Sequence, residues 1–297
     1  MSRIFLGIIF LGAIQSSITA SVKTHEIPDP DLRPNAEADV NHGKETPLAG
    51  ETSWPCPPQT GILPCTCETD NSYNIIMDCS DVTSEDELAN AFNVMFPFDD
   101  VDSLTINNAA MTNDIQNLTS GIFQTKSFRD VMIVGTNLER IADDVFSESH
   151  QTLLNMNFYD NKLSVFPYET LSLYNLSTTL NLDDNQLTVL RNIESLSIRG
   201  ISLNHNQNLV LIDGKDTFSS LPNLVYIGLV DTGRSDIPQH LFSQNKIIEE
   251  IYLSDNSIQS LDINSINPPN PSLIMLYLDN NQITSVANSS ISGTVIT

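Results

Sequence analysis

The chain has 297 residues, with 13 lysines and arginines set against 37 aspartates and glutamates and a formal net charge of -24 at pH 7. Phosphate contact needs clustered lysine and arginine, so this balance excludes nucleic acid and disfavours anionic membrane surfaces. It suits solubility in an extracellular fluid and would steer basic partners.

Residues 1–20 read as a signal peptide: Arg3 supplies the positive start, Ile4 to Ile14 form the apolar stretch, and Ile18-Thr19-Ala20 offers a small residue for cleavage. That stretch is shorter than the ~20 apolar residues that cross a bilayer, and no later segment qualifies, so the expectation is a secreted protein without a membrane span. Residues 21–53 carry several prolines and charges and almost no apolar periodicity. They are expected to form a disordered acidic leader, with a propeptide left open, because too little apolar surface is available to offset the entropy of ordering.

Residues 54–100 hold all four cysteines, Cys56, Cys65, Cys67 and Cys79, clustered as at the edge of a domain. Four thiolates would satisfy tetrahedral zinc, but export to an oxidising compartment favours disulfides. Four cysteines permit three pairings, among which residue types alone do not choose. Following them, SEDELANAFNVMF reads as a short amphipathic helix with Ser84 as its cap and Glu87 closing a capping box.

From Val101 to the end an internal repeat appears, with apolar residues at positions 1, 4 and 6, a polar or small residue at 9 and usually an apolar one at 11. Its eight copies begin at Val101, Phe128, Leu153, Ser177, Ile198, Leu224, Ile248 and Leu273, spaced by 21 to 27 residues. Alternation at 4 and 6 makes a short strand with one face inward, and an asparagine at 9 can bond the backbone groups freed where the chain turns. The fold class expected is an α/β leucine-rich-repeat solenoid, with a parallel sheet on the concave face and loops or short helical pieces on the convex side. One coil cannot bury enough to fold alone, so the coils must stack and the ends must be covered. No cysteine follows Cys79, so the carboxyl end is expected to be incomplete. Thr136 and Thr232 replace the asparagine of repeats 2 and 6, Ala109 that of repeat 1, and Asn208 replaces the apolar residue of repeat 5. Local irregularity is expected there, most of all between His205 and Asp213.

The cysteine pattern, with CxC in the middle and the last cysteine after an apolar strand, resembles the amino-terminal cap of extracellular leucine-rich-repeat proteins. The resemblance implies pairing of Cys56 with Cys67 and of Cys65 with Cys79. A closer resemblance lies in PCTC, Asp78-Cys79-Ser80, SEDEL at Ser84 to Leu88 and FPF at Phe96 to Phe98. These are similar to the non-catalytic leucine-rich-repeat subunits of oplophorus luciferase and its arthropod relatives. What this implies is a secreted accessory protein, with the chemistry residing in a separate catalytic partner subunit.

Positions 2, 3, 5, 7 and 8 would line the concave face, a surface on the order of 34 Å wide that fits a protein or glycan better than a small metabolite. Candidate partner-binding residues there are the tyrosines Tyr159, Tyr226, Tyr252 and Tyr277, together with a ridge formed by Asp160, Asp184, His205, Asp231 and Asp255. Sequons at Asn117, Asn175 and Asn288 mark candidate glycosylation sites in segments expected to be reachable from solvent. His25, His42, His150, His205 and His240 are scattered, and no nucleophile elbow, metal-binding or phosphate-cradling motif occurs. The chain is thus expected to be no enzyme and to take no cofactor or metal. The leading function is a secreted binding scaffold; an innate-immune recognition ectodomain is the alternative, and an oxygenase in its own right comes last.

Overall fold

The computed structural model describes residues 54–108, 113–266, 272–288 and 290, all within one unit spanning 47–297. The expected signal peptide, the leader and Ala109 lie outside the described residues.

Among these residues ten strands form one sheet, in the order in which the chain makes them. They are β1 (Thr66–Thr69), β2 (Ile75–Asp78), β3 (Asp100–Asn107), β4 (Ser127–Val134), β5 (Asn155–Asn157), β6 (Thr179–Asn181), β7 (Gly200–Ser202), β8 (Tyr226–Gly228), β9 (Glu250–Tyr252) and β10 (Met275–Tyr277). β1 and β2 pair antiparallel as a cap hairpin, and every later neighbour is parallel, one strand per repeat. The register matches equivalent positions throughout: position 4 of one repeat faces position 4 of the next, as in Met156 opposite Leu180 and Ile227 opposite Ile251. Residues at positions 1, 4 and 6 are buried from repeat 1 through repeat 7, including Ser177 at position 1 of repeat 4. In repeat 8, Leu276 and Leu278 are only partly buried.

Opposite this sheet the chain runs through turns, three short 3-10 segments and two-stranded pairs such as Val189–Leu190 with Val210–Leu211. Here the core is aromatic at its amino-terminal half. Phe92, Phe123, Phe128, Phe146, Phe158 and Phe166 form a continuous series of ring contacts with centroids 5.0–6.2 Å apart. Offset and edge-on ring packing of this kind adds to the area each ring buries, and it joins the cap to the first three repeats.

Within the cap, Cys56 is bonded to Cys67 and Cys65 to Cys79, the pairing that the resemblance implied, so no cysteine is left to hold zinc. The helix α1 (Glu85–Phe92) is capped by Ser84, whose hydroxyl accepts from the Glu87 amide. The reciprocal half of the expected box is displaced by one residue: the Glu87 carboxylate accepts from the amide and hydroxyl of Thr83, both at 2.8 Å. The helix also stops at Phe92 instead of continuing towards Phe96, which folds back to stack on Phe92.

A ladder of asparagines ties the coils together. Asn185 donates to the carbonyl of Phe158 in the coil before it and to Leu182 and Asp183 in its own, while its Oδ1 accepts from the amide of Leu163. Asn206 repeats the pattern against Leu182 and Leu187, Asn256 against Leu229 and Arg234, and Asn281 against Leu253 and Ile258. The irregularity expected around His205 to Asp213 is therefore not found in the turn. Asn208 is exposed, and Leu209, one residue later, is buried in its place. The threonines fit for a similar reason: Thr136 Oγ1 accepts from the amide of Leu138, and Thr232 Oγ1 donates to the carbonyl of Leu229, each supplying part of what an asparagine would.

Candidate binding surface

The open face of the sheet is built from positions 3 and 5 of each strand and from position 7 just beyond it. In β8 to β10 this alternation brings three tyrosines side by side. Tyr226 at position 3 and Tyr252 at position 5 have centroids 5.3 Å apart, and Tyr252 and Tyr277 stack at 4.7 Å with planes 13° apart. Stacking follows from register, because Tyr252 and Tyr277 occupy paired positions of adjacent strands. The Tyr252 hydroxyl donates to the Glu250 carboxylate at 2.9 Å, and burial together with that neighbouring negative charge pushes its pKa upward. Tyr277, at the end of the row, keeps 41% of its surface exposed and lies beside exposed Met275 and Ile274.

Tyr226 lies over its own strand. Its hydroxyl reaches Ser202 at 3.4 Å and occupies the space where a side chain on Gly228 would go: a Cβ there would meet the Tyr226 hydroxyl and Asn204 Oδ1, each at 2.8 Å. Gly228→Ala should therefore lift the Tyr226 ring off the sheet and cost about 1–2 kcal/mol. Chemical denaturation would show the loss, and a shifted ring resonance for Tyr226 would show its cause. Next to this ring, half-buried Asp183 accepts from the Ser202 hydroxyl, the Asn204 amide and the Asn204 side chain. Loss of water nevertheless dominates, and the carboxyl sits above its ordinary value.

The ridge at position 8 has a backbone origin. Gly135, Asp160, Asp184, His205, Asp231, Asp255 and Asn280 all adopt left-handed φ, between +49° and +65°. Glycine, asparagine, aspartate and histidine tolerate that region best, so the coil geometry selects short polar residues there. Geometry does not select charge, since asparagine or glycine would serve as well. Positions 3, 5, 7 and 8 carry Asp130, Glu250, Asp183, Asp279, Asp160, Asp184, Asp231 and Asp255 and no lysine or arginine, whereas position 2, at the amino ends of the strands, carries the exposed Arg129, paired with Asp102, and Arg199. On the ridge, His205 Nδ1 is 3.3 Å from Asp231; burial raises the pKa of Asp184, and the nearby histidine offsets part of that rise. Tyr159 lies among Asp184, Asp160 and Asp183, whose charges, that of Asp184 foremost, hold its phenol protonated to higher pH. The predicted residues thus fall into two groups: Tyr159 with Asp160, Asp184, His205 and Asp231 across the middle repeats, and Tyr226, Tyr252 and Tyr277 with Asp255 towards the carboxyl end.

A second feature was not singled out from the sequence. A cleft of about 560 Å³ runs along the amino ends of the strands, lined by Tyr73, Phe98, Val101, Arg129, Leu154 and Leu176 among others. Trp54 packs edge-on against Tyr73 and Phe98 at its rim. These aromatics come from parts of the cap far apart in sequence, and no repeat pattern announces them.

Of the three sequons, Asn175 and Asn288 are exposed. Asn117 is partly exposed and belongs to a two-residue strand paired with Arg140–Ile141, and its side-chain amide donates to Glu85. Among the described residues no cluster of three or more histidine, cysteine or acidic groups could hold a metal, and no helix is long and apolar enough to cross a membrane.

No family model matches the chain. Over 243 residues, 80% of its length, it is 29% identical to the oplophorus-luciferin 2-monooxygenase non-catalytic subunit of Oplophorus gracilirostris, of which it spans 66%, just under two thirds. Among solved structures, the leucine-rich repeat domain of APL1B superposes with a TM-score of 0.47 and 21% identity over 69% of this chain and 64% of that one. Human 5T4, also called trophoblast glycoprotein, does so with a TM-score of 0.44 and 17% identity over 78% and 82%. By its repeats, its one parallel sheet and its two disulfides the chain is a leucine-rich-repeat solenoid with a disulfide-bonded amino-terminal cap, and over most of its length it is similar to a luciferase subunit that is itself named non-catalytic.

Proposed function

We propose that the protein is a secreted, non-catalytic scaffold that binds a protein partner on the open, concave face of its sheet, as an accessory subunit binds the subunit that carries the chemistry. The observation that carries this reading is the row of Tyr226, tilted against Tyr252, and Tyr252 stacked on Tyr277. Rigid aromatic side chains on a pre-formed sheet lose little conformational freedom on binding, which is why such residues anchor interfaces. Tyr159, Asp160, Asp184, His205, Asp231 and Asp255 extend the same contact surface across the middle repeats. Two disulfides and a net charge of -24 fit an oxidising extracellular fluid. Glycans on Asn175 and Asn288 would stand beside the strands.

The test is affinity capture from the animal's own extracellular fluid using the secreted chain as bait. A partner should be retained by the wild type and reduced at least about tenfold by the double substitution Tyr252→Ala, Tyr277→Ala, the loss expected for two interface tyrosines. Capture unchanged by the substitution would remove the tyrosine row from the interface. The purified chain alone should not turn over a coelenterazine-type substrate; turnover without a partner would overturn the non-catalytic reading.

A further inference from the structure

We propose that the cleft at the amino ends of β2 to β6 binds a neutral, β-linked glycan that lies across the strands, with sugar rings against the exposed aromatic surface of Tyr73 and Phe98 and hydroxyls bonded by Asp102, Arg129 and Gln151. The cleft is separate from the open face of the sheet, so this assignment stands or falls independently of the scaffold reading.

The shape of the cleft comes first. It holds about 560 Å³ and crosses the starts of five neighbouring strands, from Asn74 before β2 to Leu176 before β6. With strands ~4.8 Å apart its length is about 19 Å, which suits a chain of linked units better than one small molecule. One end is aromatic and open: Tyr73 and Phe98 are 65% and 49% exposed, and Trp54, itself 61% exposed, packs edge-on against both from the rim. Large rings gathered in water mark a surface that a ligand would cover. Tyr73 is also fixed in place. Its φ of +62° is rare for a bulky residue, and the turn that imposes it is held by the Asp70 carboxylate, which accepts from the Ser72 and Asn74 amides.

The polar groups of the cleft select the ligand. The Arg129 guanidinium bonds the Asp102 carboxylate through one nitrogen at 3.3 Å, and the exposed Gln151 side chain has no hydrogen-bond partner among the described residues. Donors and acceptors therefore stand side by side, and the single arginine is already balanced by a carboxylate, with Asp100 beside it. Hydroxyl groups, which donate and accept at once, match that mixture, whereas sulfated or carboxylated sugars would meet Asp100 and Asp102. A peptide fits less well because the main-chain groups beneath the cleft are taken. The Leu154 amide bonds the Arg129 carbonyl, the Ser127 amide that of Asp99, and the Phe128 carbonyl accepts from the Thr152 hydroxyl, so an extended chain would find no backbone ladder. Sugars with every ring substituent equatorial present C–H bonds on both faces, which the negative face of an aromatic ring attracts; an axial hydroxyl blocks one of those faces.

The experiment titrates the full secreted chain with two β-linked tetramers, one of glucose and one of N-acetylglucosamine, and with an α-linked mannose tetramer. Binding is read from the heat released and from the emission of Trp54, the one tryptophan of the sequence, which stands at the rim of the cleft. At least one β-linked tetramer should bind, shift that emission and exceed the mannose tetramer by about fivefold or more. Phe98→Ala and Gln151→Ala should each weaken binding about threefold to tenfold, while the exposed Asp143→Asn should leave it intact. Gln151 is exposed and bonds nothing, so its substitution tests the site even where Phe98→Ala disturbs the cap. Asn175→Gln is titrated as well, because a glycan attached there, next to Leu176, would compete for the cleft; its binding should be as tight as the wild type's or tighter. Failure of both β-linked tetramers to bind either form overturns the proposal. So does binding that survives Phe98→Ala and Gln151→Ala, which would put the sugar elsewhere. A nonapeptide of alternating leucine and serine that binds in place of the sugars, and is lost in Phe98→Ala, would also overturn the glycan assignment, because the cleft would then be a peptide site.

Discussion

Replacing Asn256 by alanine should cost about 3–5 kcal/mol and loosen two coils at once. Its amide donates to the carbonyls of Leu229, Leu253 and Ser254, and its Oδ1 accepts from the amides of Thr232 and Arg234 and from the Thr232 hydroxyl. The side chain is 6% exposed, so water cannot replace these bonds without opening the turn. Leaving a buried donor unpaired costs about 1–3 kcal/mol, and the amides of Thr232 and Arg234 both lose their acceptor, while the three carbonyls keep a second donor each, from Thr232, Asn281 and the Asp231 amide. Stability in a stacked array is shared between neighbours, so the loss should appear first as local opening. Hydrogen exchange at the Thr232 and Arg234 amides should accelerate well before the global unfolding transition shifts. Unchanged protection at both amides would show that the ladder does not hold the coils together.

Gly233→Ala should be comparably severe, at about 3 kcal/mol or more. Gly233 adopts φ of +73°, and a Cβ there would approach the carbonyl oxygen of Gln207 to 2.1 Å, a clash between two backbones that no rotamer can relieve. The site is where the asparagine ladder misses a rung. Thr232 occupies position 9 of repeat 6, and its shorter side chain reaches Leu229 in its own coil and Asn256 in the next, without reaching back to repeat 5. Close approach of the backbones replaces the missing side-chain bridge, and only glycine permits it. Thermal unfolding of Gly233→Ala, set beside Gly121→Ala, checks this. Gly121 has the same φ of +73° but nothing within 4 Å of the added carbon, so the difference between the two measures the clash alone.

The two substitutions mark where reading residues succeeds and where it stops. Asn256 was legible because a short-range rule, one polar side chain every turn of a coil, recurs with the same spacing as the leucines. Gly233 was not, because its constraint comes from Gln207 in a different coil. The ridge at position 8 was legible as a column of aspartates, but its cause, a left-handed backbone repeated from Gly135 to Asn280, belongs to the closed coil. Asparagine spacing also suggested disorder of pattern around Asn208, where a shift of one residue to Leu209 keeps the core filled at no cost to the ladder.

By itself the sequence determined the solenoid, its strands, its cap and the column each tyrosine and aspartate would join, because those follow from periodicity within about 25 residues and repeat often enough to be read. Only the tertiary structure decided which columns touch. It stacked Tyr252 on Tyr277 and laid Tyr226 over Gly228, it gathered Trp54, Tyr73 and Phe98 at one cleft, and it bound Asn117 to Glu85. Those contacts depend on register between neighbouring strands and on the packing of the cap, and such long-range geometry arises only once the coils have closed on one another.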